Sequence, residues 1–108
     1  MVYDGFIEKG VCTGMGKLYD LNGNLVYIGE FKNNEFDGKG KLFYPSGRLK
    51  YEGEFHANQY NGQGTLYNPN ATVQYTGTFL NGMKHGQGKL YDSTGTRLVY
   101  EGNFAEDL

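Results

Sequence analysis

The residues Tyr51-Glu52-Gly53-Glu54-Phe55 decide the fold, together with Gly38-Lys39-Gly40-Lys41-Leu42 earlier in the chain. In both stretches the character of the side chain switches at every residue, which is the two-residue period of a β-strand. The three- and four-residue apolar spacing of an amphipathic helix is not sustained anywhere in the chain. The pattern therefore predicts short strands, and the residues between them must form turns.

Two kinds of turn alternate along the chain. Asn81-Gly82 predicts a two-residue type I′ hairpin, because both central residues of that turn need a positive φ. Pro45-Ser46-Gly47-Arg48 predicts a four-residue loop around a type I turn, with proline first and glycine third. Ala71 replaces the glycine in one of these loops, so we expect a strained or altered turn there. An extra residue before Leu98 is expected to lengthen the last loop.

The pattern is an internal repeat of 24 residues. Its first column is Tyr3, Tyr27, Tyr51 and Tyr75, and Tyr100 follows after 25 residues. All 18 glycines fall on five columns of the repeat, which chance does not explain. We predict one domain over residues 1–108, with repeats at 3–26, 27–50, 51–74 and 75–99 and a partial repeat at 100–108.

Turn lengths also predict the register. Across the tight turn at Asn33-Asn34, the predicted partners are Phe31–Phe36, Gly29–Gly38 and Tyr27–Gly40. Across the longer loop they are Leu42–Tyr51, Gly40–Gly53 and Gly38–Phe55. On the other face, this register opposes Lys41 to Glu52, Lys39 to Glu54, Thr65 to Thr76 and Lys89 to Glu101. Such cross-strand pairs are favourable, and a slip of one residue would scatter them.

The predicted fold class is all-β: an elongated, single-layer antiparallel meander of consecutive hairpins, with about nine strands. Glycine normally weakens a strand, but here it lets tyrosine and phenylalanine rings lie flat on bare backbone. The structural glycines predicted for this role are Gly29, Gly38, Gly40, Gly53, Gly62, Gly64, Gly77, Gly86 and Gly88.

The aromatic columns are the candidate site. If one layer cannot cover all these rings, the face that carries them would form a groove for an extended peptide or an amphipathic helix. The candidate partner-binding residues on this inner aromatic face are Tyr27, Phe31, Tyr51, Phe55, Tyr75, Phe79 and Tyr100. The competing interpretation is that the rings only hold the sheet together. A third column, Tyr19, Phe43, Tyr67 and Tyr91, falls on the other face by parity.

These residues resemble the MORN (membrane occupation and recognition nexus) repeat. The resemblance rests on units such as Tyr51 to Phe55 followed by Asn61-Gly62-Gln63-Gly64-Thr65-Leu66-Tyr67, and it covers essentially the whole chain. It implies an elongated, twisted single-layer sheet, a scaffolding or protein-contact role with proposed phospholipid binding, and no reaction. Departures from the pattern are Phe6, Ile7, Thr76, Thr78, the absence of tryptophan and the length of the repeat.

Composition and side-chain chemistry exclude several other functions. The net charge is −2, so no nucleic-acid partner is expected. The single cysteine, Cys12, cannot form an intrachain disulfide, and we expect a buried apolar thiol facing Ile7. His56 and His85 lie in different columns, so we expect surface histidines, no catalytic residues, no metal site and no cofactor. Gly14-Met15-Gly16 and Gly86-Gln87-Gly88 resemble fragments of nucleotide-binding loops, but they lack the lysine and the following helix of a phosphate loop.

The sequence therefore predicts a non-catalytic interaction or scaffolding module whose partner is another protein or a second copy of the chain. The second copy could pair with the end strands near Tyr3–Ile7 and Tyr100–Phe104. The alternative is a peripheral module that binds anionic phospholipid, which is less favoured because glutamates interleave with the lysines. No signal peptide or transmembrane segment is visible, so a cytoplasmic location is expected.

Overall fold

The computed structural model describes residues 2–105, and all strands in that range form one antiparallel sheet. Their order in the sheet is their order in the chain, so the fold is a meander of consecutive hairpins, as predicted. The strands are β1 (Val2–Glu8), β2 (Val11–Tyr19), β3 (Leu25–Lys32), β4 (Glu35–Phe43), β5 (Leu49–His56), β6 (Gln59–Tyr67), β7 (Val73–Leu80), β8 (Met83–Tyr91) and β9 (Leu98–Phe104). The molecule measures 46 × 26 × 16 Å, which makes it elongated across the strands.

The tight turns have the predicted type I′ conformation. Both central residues are left-handed, with φ of 49° at Asn81 and 85° at Gly82. Asn33 and Asn34 take the same conformation at 51° and 68°. Asparagine and glycine reach this region at low cost, which explains their place in the column.

The longer loops close by two backbone hydrogen bonds. The amide of Tyr44 donates to the carbonyl of Arg48 at 2.8 Å, and the amide of Gly47 donates to that of Tyr44 at 2.9 Å. Ala71 keeps the glycine conformation at a φ of 73°, so the strain expected there is present. In the last loop, Asp92 closes on Arg97, one residue farther than in the other loops, and the predicted lengthening is confirmed.

The register across the longer loops is confirmed, with Leu42 opposite Tyr51, Gly40 opposite Gly53 and Gly38 opposite Phe55. The pairs predicted on the other face also lie opposite each other, including Lys39 with Glu54, Thr65 with Thr76 and Lys89 with Glu101.

The register across the tight turns is partly wrong. Phe31 faces Phe36 as expected, but Gly29 then pairs with Gly40 rather than Gly38, and Tyr27 pairs with Leu42 rather than Gly40. The pairing shifts by two residues between Gly29 and Phe31. Because the shift is an even number, every side chain keeps its predicted face although its partner changes.

A glutamate stabilises this irregularity. Gly38 takes a φ of 101°, which carries the β4 backbone away from β3. The Glu30 carboxylate fills the gap, and its Oε2 accepts a hydrogen bond from the Lys39 amide at 2.7 Å. Glu54 does the same for the Gln63 amide at 2.8 Å in the next repeat. The carboxylate therefore replaces the backbone partner that the shift removes.

Candidate functional site

A line of glycines crosses the whole sheet. Each of the nine strands contributes one glycine, and each is directly opposite the next in the register. We call this set the glycine row: Gly5, Gly16, Gly29, Gly40, Gly53, Gly64, Gly77, Gly88 and Gly102. The two faces of the sheet differ in chemistry: the ring face carries side chains such as those of Tyr27 and Phe31, and the groove face carries side chains such as those of Ile28 and Lys41.

On the ring face, tyrosines lie across the glycine row. A Cβ added at Gly40 would fall within the Tyr27 phenol, so the ring rests directly on glycine backbone. The Tyr27 hydroxyl reaches past the row and donates to the Glu30 carbonyl at 2.9 Å. Tyr51 and Tyr75 repeat this arrangement, donating to the carbonyls of Glu54 and Thr78 at 2.8 Å. Each phenol thus combines apolar burial with a satisfied hydroxyl.

The rings form one continuous ladder of edge-to-face contacts. Tyr27 meets Phe31 of its own repeat and Phe55 of the next, each with ring centroids 5.2 Å apart. The series runs from the Tyr3–Phe31 contact to the contact between Tyr100 and Phe104. Such pairs contribute about 0.5–1.5 kcal/mol beyond area burial, so the ladder couples neighbouring repeats.

A further column covers the tyrosines from above. Phe36 stacks on Tyr27 at a centroid distance of 3.8 Å, and Tyr60 stacks on Tyr51 at 4.0 Å. In the next repeat the Lys84 ammonium lies 5.7 Å from the centre of the Tyr75 ring. Sequence reasoning missed this role, because the column reads cysteine, phenylalanine, tyrosine and lysine and shows no common chemistry.

The sheet itself covers six of the seven candidate residues, as the interpretation that the rings hold the sheet together expects. Tyr27, Tyr51 and Tyr75 are fully buried, and Phe31, Phe55 and Phe79 are nearly so. Only Tyr100, on the end strand β9, is substantially exposed, at 45 %. Glycine backbone below and the covering column above supply the missing layer. Direct contact of these rings with a partner stays a prediction.

Burial also sets the acidity of the tyrosines. It raises the pKa of Tyr27 and Tyr51 well above the ordinary value, and the negative charges of Glu30 and Glu54 add to the effect. Burial, with a smaller contribution from Tyr44, raises the pKa of Tyr60 to about 12. These phenols are neutral at physiological pH, so they act as packing groups and hydrogen-bond donors.

On the groove face the glycine row is the floor of a shallow groove. Its central depression has a volume of about 540 Å³ and extends over β2 to β6. The side chains that line it are Met15, Ile28, Lys39, Lys41, Glu52, Glu54 and Gln63. Two smaller depressions of about 240 and 250 Å³ lie on the same row, at Gly77–Gly88 and at Gly5–Gly16. We call the three together the glycine groove.

Charges along the glycine groove are paired across strands. The Lys41 ammonium lies 3.7 Å from the Glu52 carboxylate, and Lys89 lies 3.9 Å from Glu101. Thr65 and Thr76 share a hydrogen bond of 3.1 Å. Both signs of charge therefore alternate along the walls, with Met15 and Ile28 as apolar positions at one end.

The His56 and Cys12 side chains do not line the glycine groove. His56 Nδ1 lies 3.2 Å from the Asp37 carboxylate, and the imidazole is largely open to water. Cys12 faces Ile7 as expected, but the residue is only half-buried against the ring ladder, so the expectation of a buried thiol is wrong. Within residues 2–105, no group of three or more His, Cys, Asp or Glu side chains is arranged to hold a metal ion. None of the described residues form a helix able to cross a membrane.

A comparison with protein families decides what this architecture is. The profile described as MORN repeat matches residues 3–25, 27–47, 51–73 and 75–97, four consecutive units that cover most of the chain. The chain belongs to the MORN repeat family. MORN repeats are non-enzymatic modules that generally mediate protein or membrane interactions. No curated protein matches this MORN array significantly in sequence.

Proposed function

We propose that this MORN array is a non-catalytic protein-interaction module that binds its partner in the glycine groove. The observation that carries the proposal is the central depression of about 540 Å³, which lies within the size range of ligand sites. Its floor is bare backbone, so a ligand chain could approach closely there. The buried rings on the opposite face contribute by holding the floor in shape.

The dimensions favour a polypeptide as the ligand. The glycine row crosses nine strands, and neighbouring strands are about 4.8 Å apart, so the groove extends over roughly 38 Å. An extended peptide of about eleven residues has that length. Met15 and Ile28 would receive apolar side chains, and the alternating Lys and Glu walls would receive polar ones. An extended segment or one side of an amphipathic helix of another protein fits this surface.

Charge balance favours a protein over a lipid surface. Attraction to anionic headgroups needs a basic stripe that is free to face the membrane. Here Lys41 and Lys89 are paired with glutamates, and the net charge of the chain is −2.

Selection from a library of random peptides tests the groove. Peptides enriched on the wild-type chain should lose at least about tenfold in affinity on Met15→Glu, because a charge would enter the apolar end of the groove. Leu21→Glu is the control, since Leu21 is also apolar and exposed, at 86 % against 63 % for Met15, but lies in a loop outside the groove. Equal binding to both variants, or no enrichment at all, would contradict the proposal.

Vesicle flotation separates the membrane alternative. The chain should stay with the soluble fraction when mixed with phosphatidylserine vesicles at low salt. Flotation that disappears as salt is added would show electrostatic lipid binding and favour the alternative instead.

A further inference from the structure

The outer edge of β1 exposes an unusual amount of apolar surface. Val2, Phe6 and Ile7 are each more than half exposed on this seven-residue strand. The residues equivalent to Ile7 in the four later repeats are all buried: Phe31, Phe55, Phe79 and Phe104. Phe31 is buried partly because Tyr3 of the preceding repeat packs against it, with ring centroids 4.9 Å apart. Ile7 lies on an end strand paired on one side only, where residues 2–105 place no such neighbour.

The eight pairs of neighbouring strands within the sheet show which register a strand added at this edge would adopt. At all eight of them, neighbouring strands run antiparallel and place a glycine directly opposite a glycine. An antiparallel pair of two β1 strands can satisfy the same rule only about a two-fold axis at Gly5. That register sets Tyr3 opposite Ile7 of the second copy, and Asp4 opposite Phe6 of the second copy. Both pairs then occur twice, as a two-fold interface requires.

Charge favours the register with its axis at Gly5 over the two nearest alternative registers. A two-fold axis at Asp4 would oppose the two Asp4 carboxylates, and an axis at Phe6 would oppose Asp4 to Glu8 of the second copy. Like charges directly opposite each other destabilise a sheet. The axis at Gly5 brings no two like charges into opposition.

We propose that β1 pairs antiparallel with β1 of a second copy about a two-fold axis at Gly5, which joins two nine-stranded sheets into one. The pairing satisfies the open backbone groups of both edge strands and covers Phe6 and Ile7 of each copy. It continues the glycine row across the junction. It goes beyond the proposed peptide binding and does not depend on it, since the central depression lies on β2 to β6.

Sedimentation equilibrium of the full chain tests the pairing. The wild type should sediment as a dimer of twice 12.1 kDa, and Ile7→Lys should weaken the dimer at least about tenfold. Val99→Lys is the matched control, because Val99 is similarly exposed on the opposite end strand β9. Circular dichroism checks that both variants stay folded, which their exposure favours.

A crosslink tests the register itself. The double variant Asp4→Cys, Phe6→Cys, made with Cys12→Ser, should form a disulfide-linked dimer on mild oxidation, because positions 4 and 6 oppose each other twice. A wild-type monomer, or a dimer weakened by Val99→Lys and not by Ile7→Lys, would overturn the proposal. Crosslinking of Asp4→Cys alone with greater efficiency than the double variant would overturn the register.

Discussion

At the scale of the residue, the glycine beneath each tyrosine is the decisive choice. Gly64 has no side chain because the Tyr51 phenol occupies the position that a Cβ would take. The ring gains close packing against backbone, and its hydroxyl gains the Glu54 carbonyl. Gly47 is a glycine for another reason: it lies in a loop at a φ of 93° with open space around it. One residue type therefore answers two separate physical requirements.

These two requirements predict different costs for the same substitution. Gly64→Ala should lower the free energy of unfolding by about 3 kcal/mol, because overpacking displaces a buried ring. Gly47→Ala should lower it by about 1 kcal/mol, the cost of a left-handed alanine. Urea denaturation followed by tyrosine fluorescence measures both. Equal losses would show that the ring does not need the bare backbone.

At the scale of the element, three tight turns are each joined to a strand of the preceding repeat. The Asn58 amide donates to the Phe36 carbonyl at 3.0 Å, and the Asn58 side-chain oxygen accepts from the Phe36 amide at 2.8 Å. Asn34 forms the same pair of bonds with Cys12. Gly82 forms the backbone bond to the Tyr60 carbonyl at 2.9 Å and has no side chain to form the second. The turns thus continue the pairing beyond the ends of the strands.

Substitutions at Asn58 separate the hydrogen bond from the backbone conformation. Asn58→Ala should cost about 2 kcal/mol, roughly half from the lost bond and half from the left-handed φ. Asn58→Gly should cost about 1 kcal/mol, because only the bond is lost. Asn58→Asp keeps the acceptor and should cost least. Thermal unfolding of the three variants gives the order, and a loss for aspartate as large as for alanine would refute the assignment.

The elements also show what the sequence could predict. Strands, turn types and faces follow from the alternation and from Asn-Gly signals, because those are local requirements of the backbone. The two-residue shift at Gly38 was not predictable from turn length, since it depends on the Glu30 carboxylate taking over a backbone hydrogen bond. The covering role of Phe36 was missed because the same column holds Lys84, and stacking and cation–π contact leave no shared sequence signal.

At the scale of the whole molecule, stability is distributed along one ladder of rings. No described residue lies in a second sheet or in a helix that could cover the first layer. Cohesion therefore comes from contacts between adjacent repeats, as in other linear arrays. The core consists of phenols and phenyl rings, with Tyr27, Tyr51 and Tyr75 fully buried.

This composition predicts that the stability of the fold decreases at alkaline pH. In the unfolded chain the phenols of Tyr27, Tyr51 and Tyr60 ionise near pH 10, whereas in the folded chain burial raises their pKa. The unfolded state therefore loses protons first, so stability is complete below pH 10 and falls as the pH rises above it. Melting temperatures measured by circular dichroism should decline from about pH 10 upward.

Tyr60→Phe isolates one contribution to this decline. The variant keeps the ring stacked on Tyr51 and removes one ionisable phenol, so its melting temperature should fall less steeply with pH than that of the wild type. The difference in tyrosinate absorbance between the wild type and Tyr60→Phe, which reports the Tyr60 phenol, should appear only as the chain unfolds. A difference that appears well before unfolding would show that the Tyr60 phenol is accessible in the folded array.

The equal spacing of the glycine row makes the array a molecular ruler. Every repeat adds two strands, and two strands add about 10 Å, so the distance between the ends is a whole number of identical steps. A variant with the unit 51–74 duplicated should be longer by one such step, because each pair of neighbouring strands presents the same pair of opposed glycines. Evolution could thus adjust the separation between two tethered partners by copying a 24-residue cassette, with no redesign of either end.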